Sequence, residues 1–181
     1  MKRIWIVALL VTGVIISRPA LAVSDTEAVQ ANSIWQERSQ ATATWMWFDI
    51  YNATLFTQPD FNYNKLLADD QPLKLQLCYL KSIGRSDLIK GAEAVLDKNL
   101  SAELKQAVNG LHQSYVNVEP GDCYVLEYAP KTGTQLKLND QLVFESTLAG
   151  FKSVYFGIWL GQNALSDELK ETLLTPLKES L

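Results

Sequence analysis

The residues that could do chemistry are few, and the most suggestive group is Asp49, Tyr51, Asn52 and Thr54, which interrupt an otherwise apolar run between Trp45 and Phe56. A carboxylate, a phenol, an amide and a hydroxyl at this spacing can donate and accept hydrogen bonds, and Tyr79 on a later run adds a second phenol. Buried polar groups must be hydrogen-bonded, so these side chains either knit the fold or line a cleft. Asp49, Tyr51, Thr54 and Tyr79 are therefore the ligand-binding candidates. The catalytic residues stay unknown, because no acid, base and nucleophile fall together. The one histidine, His112, lies near the end of an expected helix, where an imidazole is most simply solvated or satisfied by a neighbour. Neither a Ser-His-Asp triad nor a His-based metal site is easily built around it. Gly133-Thr134 and the Gly157 to Gly161 segment lack the spacing and strand-to-helix setting of phosphate or dinucleotide loops. No metal or cofactor is expected.

Two cysteines, Cys78 and Cys123, fall in strand-like segments. In an oxidising compartment they could form a disulfide if those strands are neighbours; otherwise they are two thiols buried as small apolar groups. Trp35, Trp45, Trp47 and Trp159 could stack on a ligand, but large aromatics at strand spacing are more simply core, and Trp159 in particular reads as a core anchor.

The elements that must position these residues follow from periodicity. A long strand is expected from about Thr42 to Phe56, apolar on both faces and so central and covered. After a turn at Pro59 to Tyr63, Leu73, Leu75, Leu77 and Tyr79 alternate with Lys74, Gln76 and Cys78, a half-buried strand whose polar face carries Cys78. Ser86 is expected to cap a helix running to about Leu96, and a second helix starts near Ser101, so that a helical hairpin separates the strands. Beyond Pro120-Gly121 come three strands, Asp122 to Tyr128, Thr134 to Asn139 and Gln141 to Ser146, the last two joined by a tight Asn139-Asp140 turn. A short helix from Lys152 to Trp159 is expected to end at Gly161 in a left-handed cap. Ser166 caps a further helix, which Thr175-Pro176 should break. The resulting class is α+β, a curved antiparallel sheet with helices on one face, and the gap between sheet and helices is a natural apolar pocket.

Residues 1–22 read as a secretory signal: Lys2 and Arg3, an apolar run from Ile4 to Ile16, and the Ala20-Leu21-Ala22 cleavage site. The run is shorter than the roughly 20 residues that a bilayer core requires, so no membrane anchor is expected after cleavage. One domain would then occupy residues 23–181, periplasmic or secreted, preceded by a polar stretch from Val23 to Ala31. Sequons at Asn52 and Asn99 would matter only in a glycosylating host. Removing Lys2, Arg3 and Arg18 from the 16 basic residues leaves 13 against 20 acidic ones, a formal charge of −7. Such a chain repels phosphate backbones and carries no basic stripe, which excludes nucleic acid as an expected partner.

Four segments, WFDIYNATLF at 47–56, LCYLKSIGRSDLIKG at 77–91, PGDCYVLEYAPKTGTQLKLND at 120–140 and GFKSVYFGIWLGQNALSDELKETLL at 150–174, together resemble the bacterial chalcone isomerase-like proteins, in consistent order over nearly the whole mature chain. The resemblance implies an open-faced β-sandwich and, among plant members, isomerases that close a flavanone ring, fatty-acid binders and non-catalytic helpers. In the enzymes and the fatty-acid binders it implies a cleft arginine facing the ligand's oxygen or carboxylate, assisted in the enzymes by Thr and Tyr hydroxyls. Here the matching strand, Ala41 to Phe56, has no arginine, and Arg38 lies upstream; Lys81 and Arg85, at a strand-to-helix junction, are the alternative sources of charge. The reading is a periplasmic, non-catalytic binder of an apolar, amphipathic or carboxylate-bearing small molecule. The alternatives are a chalcone isomerase-type intramolecular lyase and an interaction protein whose cleft is filled by its own side chains.

Overall fold

The computed structural model describes residues 35–179, so the expected signal at 1–22 and the polar stretch from Val23 to Ala31 lie outside the described residues. Six strands form one antiparallel sheet in chain order: β1 Gln36–Trp45, β2 Phe48–Thr57, β3 Leu73–Tyr79, β4 Cys123–Ala129, β5 Gly133–Leu138 and β6 Gln141–Ser146. Two helices, α1 Arg85–Val95 and α2 Ala102–Ser114, intervene between the adjacent strands β3 and β4, and α3 Phe151–Leu160 and α4 Asp167–Glu179 close the chain. This is the expected α+β class, an open-faced sheet with helices on one side.

Period-two patterning decides which face they cover. Tyr51, Ala53, Leu55, Leu73, Leu75, Leu77, Tyr79, Tyr124, Leu126 and Leu136 are buried beneath the helices, whereas the alternate residues Lys74, Gln76, Cys78 and Glu127 take the opposite face. Helix α3 is buried almost all round, through Phe151, Tyr155, Phe156, Ile158, Trp159 and Leu160. Helix α4 presents Leu169, Leu173, Leu174 and Leu177 and is tied to β1 by the buried Ser39 hydroxyl, which donates to the Leu173 carbonyl at 2.6 Å.

Four local expectations are corrected. The segment from Thr42 to Phe56 is two strands of a hairpin, joined by Met46 and Trp47 with Met46 at φ 58°. The chain reverses there without the Gly, Asn or Asp that normally marks such a connection, so the run reads as continuous. Helix α1 is capped by the backbone of Gly84, not by Ser86, and Asp87 and Leu88 donate to the Gly84 carbonyl. Gly161 ends α3 in an extended conformation, φ −82°, and is needed for close approach: a Cβ there would lie 2.6 Å from the Gly157 carbonyl oxygen. Pro176 sits inside α4, which continues to Glu179. The Asn139-Asp140 turn has the expected positive φ at both residues, 47° and 66°, and Ser101 and Ser166 cap α2 and α4 through their hydroxyls.

Candidate ligand-binding cleft

A cleft of about 760 Å³ opens between the hairpin end of the sheet and the helices. Its sheet wall is Ala43, Ile50, Tyr51 and Tyr79, and its helical wall is Leu88, Gly91 and Ala92 of α1 with Ile158 and Trp159 of α3. Tyr115, just past the end of α2, completes it. An irregularity in the β1–β2 register between Ala43 and Thr44 leaves Ile50 without a cross-strand partner, and a bulge of this kind bends the strand at the cleft.

Three phenols give the cleft its polarity. Trp159 Nε1 donates to the Tyr51 hydroxyl at 3.1 Å, and the Tyr155 hydroxyl donates to that of Tyr115 at 2.8 Å. Tyr51 and Tyr115 accept in these bonds, so each keeps its own O–H hydrogen for donation. The Tyr79 hydroxyl has no hydrogen-bond partner among the described residues, and its ring stands edge-on to Tyr51 at 5.7 Å and to Tyr124 at 6.3 Å. Burial pushes all three hydroxyls above the usual phenol range, against a lowering contribution from the Trp159 hydrogen bond at Tyr51 and the Tyr155 hydrogen bond at Tyr115. They are neutral donors at any physiological pH.

No lysine or arginine lines the cleft among the described residues. Arg38 donates to Thr57 Oγ1 at 2.7 Å and to the Gln58 carbonyl. Arg85 donates to the His112 carbonyl at 2.9 Å. Lys81 lies over the Phe48 ring, 5.8 Å from its centroid. The charged lining residue is Asp87, which Lys90 meets at 3.1 Å. An anionic ligand therefore finds no counter-charge here.

Of the four candidate residues, the structure brings Tyr51 and Tyr79 together in the cleft and places the other two elsewhere. Asp49 is exposed and accepts from Thr44 Oγ1 at 3.0 Å. Thr54 is half-buried on the strand face opposite Tyr51, Ala53 and Leu55. Alternation along β2 sets Thr54 on the other face, and Asp49 lies at the hairpin end of the strand, one residue before the irregularity at Ile50. Tyr115 and Gly91 were missed, since neither stands out from ordinary helix patterning and each reaches the cleft only through the way the helices pack over the sheet. His112 is buried rather than solvated; its ring stacks on Tyr115 at 6.1 Å, Nδ1 stands 3.9 Å from Glu93 and Nε2 has no partner among the described residues. Burial holds its pKa below the usual imidazole value despite Glu93.

On the opposite sheet face Cys78 and Cys123 are cross-strand partners. Their sulfurs are bonded at 2.05 Å, with Cα atoms 4.1 Å apart. The tryptophans divide: Trp159 is 8% exposed, Trp45 and Trp47 are 69% and 88% exposed, and Trp35 packs under Lys74 with Nζ 5.0 Å from its ring. The core reading holds for Trp159 and fails for the hairpin pair.

Comparison with known proteins agrees with this architecture. The crystal structure of a fatty-acid binding protein from Arabidopsis thaliana superposes with a TM-score of 0.62 at 8% sequence identity, covering 78% of this chain and 87% of that one. At that identity the likeness concerns the fold alone. A search of curated protein sequences finds no match. The family model described as chalcone isomerase-like matches residues 38–175, well over half of the 181 residues, and the chain accordingly belongs to the chalcone isomerase-like family.

Proposed function

We propose that this protein is a non-catalytic carrier or sensor of an uncharged, largely apolar small molecule that bears an oxygen acceptor, such as a ketone, quinone, ester or alcohol. The observation that carries the reading is the lining of the cleft: apolar walls, three neutral tyrosine hydroxyls and no cation. A cleft of this volume lies within the range of small-molecule sites and is not filled by the protein's own side chains. Apolar surface drives binding, and tyrosine O–H donors left without a partner orient the ligand's oxygen. The fatty-acid binding protein of like fold supports the apolar ligand class, while the absence of a counter-charge favours a neutral ligand over a carboxylate.

Isomerisation is the weaker reading. Phenols alone offer little to a developing oxyanion, and a preorganised cation or a set of aimed donors is the usual means of stabilising one. The working place of the protein is the periplasm or the exterior, reached through the signal at residues 1–22; a disulfide between Cys78 and Cys123 is in keeping with an oxidising compartment. Native mass spectrometry of protein purified from periplasm, with extraction of whatever is bound, tests the reading. A co-purifying neutral apolar compound supports it; a co-purifying carboxylate or phosphate ester, or a protein recovered empty under conditions that retain weak ligands, counts against it.

A further inference from the structure

The tip of the β1–β2 hairpin is an apolar point left largely open to solvent among the described residues, with Lys81 Nζ over the Phe48 ring. Trp45, Met46, Trp47 and Phe48 are consecutive and are 69%, 67%, 88% and 57% exposed. Met46 holds a positive φ of 58°, a conformation in which glycine would be less strained, at a cost of order 1 kcal/mol or more for another residue. A side chain retained there against that cost, and buried against nothing in the core, contributes to something outside the domain.

We infer that this tip docks on a lipid bilayer, inserting Met46, Trp47 and Phe48 at the headgroup boundary and setting the mouth of the cleft against the membrane. Shape favours a bilayer over a protein partner. Side chains of this size present on the order of 150–250 Å² each when fully exposed, so the tip offers roughly 500 Å², short of the roughly 800 Å² per partner of a stable protein interface. A few inserted side chains suffice at a bilayer, and tryptophan, with an apolar ring and a polar N–H, is suited to its boundary. The charges beside the tip balance: Lys81 Nζ sits 5.8 Å from the Phe48 ring and the exposed Asp49 follows Phe48 directly, which suits a zwitterionic surface rather than a strongly charged one.

Continuity with the cleft supplies the reason for such docking. Trp45 both belongs to the tip and lines the cleft, and Leu165, 43% exposed, lines it as well. An apolar ligand could pass between bilayer and cleft along this rim without crossing water. That transfer step rests on the ligand-binding reading; the docking itself does not.

The experiment is co-sedimentation of the secreted, processed protein with large unilamellar vesicles of phosphatidylcholine, alone and with added phosphatidylglycerol. The parent should sediment with phosphatidylcholine vesicles, and its tryptophan emission should be quenched by acyl-chain-brominated lipid. Trp47→Ser, with the side chain almost wholly in solvent and outside the cleft lining, should keep the fold and lose about ten- to hundredfold in partitioning, as expected for one large apolar side chain removed from an apolar environment. Uptake of a neutral apolar dye from solution should be the same in parent and variant, so a dead cleft and a failed docking are told apart. Three outcomes overturn the inference: a parent that stays in the supernatant; Trp47→Ser binding as tightly as the parent; or binding that requires phosphatidylglycerol and vanishes in high salt. A concentration-dependent dimer dissolved by Trp47→Ser, without vesicle binding, would reassign the tip to self-association.

Discussion

Trp159 on helix α3 and Tyr51 on strand β2, 108 residues apart in sequence, are joined by a 3.1 Å hydrogen bond from indole to phenol. The bond pins the helix to the sheet at the wall of the cleft and leaves the Tyr51 O–H free to donate. Trp159→Ala should cost about 3–5 kcal/mol in a denaturant titration, the range for removing a large buried aromatic. Tyr51→Phe, which keeps the ring and leaves the indole without its acceptor, should cost about 1–3 kcal/mol. A Trp159→Ala midpoint equal to the parent's would contradict the assignment of this residue to the core.

The Cys78–Cys123 bond closes a loop with a sequence separation of 45. Unfolded, unreduced protein should therefore show no free thiol on titration. The double replacement Cys78→Ser with Cys123→Ser should lower stability by about 4 kcal/mol in the chain-entropy account of such a loop. Two titratable thiols before reduction would refute the bridge.

Lys152 is fully buried; its Nζ donates to the Ala68 and Gln71 carbonyls, both at 2.6 Å, and lies 4.9 Å from the centre of the Tyr128 ring. Burial lowers its pKa to about 8, although Asp69 and Asp70 pull it upward. Between about pH 8 and its ordinary value of 10.5, the unfolded chain binds the proton that the folded chain has released, so this group makes stability rise with pH across that window. The buried tyrosines act oppositely at higher pH: their raised pKa values keep the fold protonated while the unfolded chain ionises, and stability falls. Thermal melts from pH 7 to 10 should show an upward contribution that is missing in Lys152→Met. Parallel curves for the two proteins would contradict this.

Catalysis should be weak or absent. Conversion of a chalcone to a flavanone, followed by loss of chalcone absorbance, should not exceed background, since removal of even one oxyanion donor from an enzyme costs about 10²–10³ in rate. Robust turnover that falls in Tyr51→Phe would promote the isomerase reading; Arg38→Ala serves as a control, because Arg38 is engaged at Thr57 and Gln58.

Much of this architecture is legible in the sequence where local chemistry and long-range packing agree. The alternation of Leu73 to Tyr79 gives β3 and its sidedness, and Asn139-Asp140 gives the β5–β6 turn. The hairpin at Met46-Trp47 is illegible because exposed tryptophans occupy a turn that usually carries glycine or asparagine, so hydrophobicity there imitates a core strand. That single misreading concealed β1 as an edge strand and the exposure of Trp45 and Trp47. Tyr51 and Tyr79 were legible as polar groups on buried strands, but their partnership with Tyr115 and Trp159 depends on helices that reach them from more than 30 residues away in either case.

The most direct test of the central claim is a titration that fills the cleft from inside. Gly91 lines it, and a Cβ added there would meet nothing within 4 Å, so Gly91→Trp starts from open space and directs a large side chain at the cleft. An environment-sensitive neutral apolar dye should bind the parent saturably at one site and be displaced by a long-chain alcohol or ketone more readily than by the matching carboxylate. Gly91→Trp should abolish that binding while melting no lower than the parent. Equal dye binding by parent and Gly91→Trp, or preferential displacement by the carboxylate, would contradict the account.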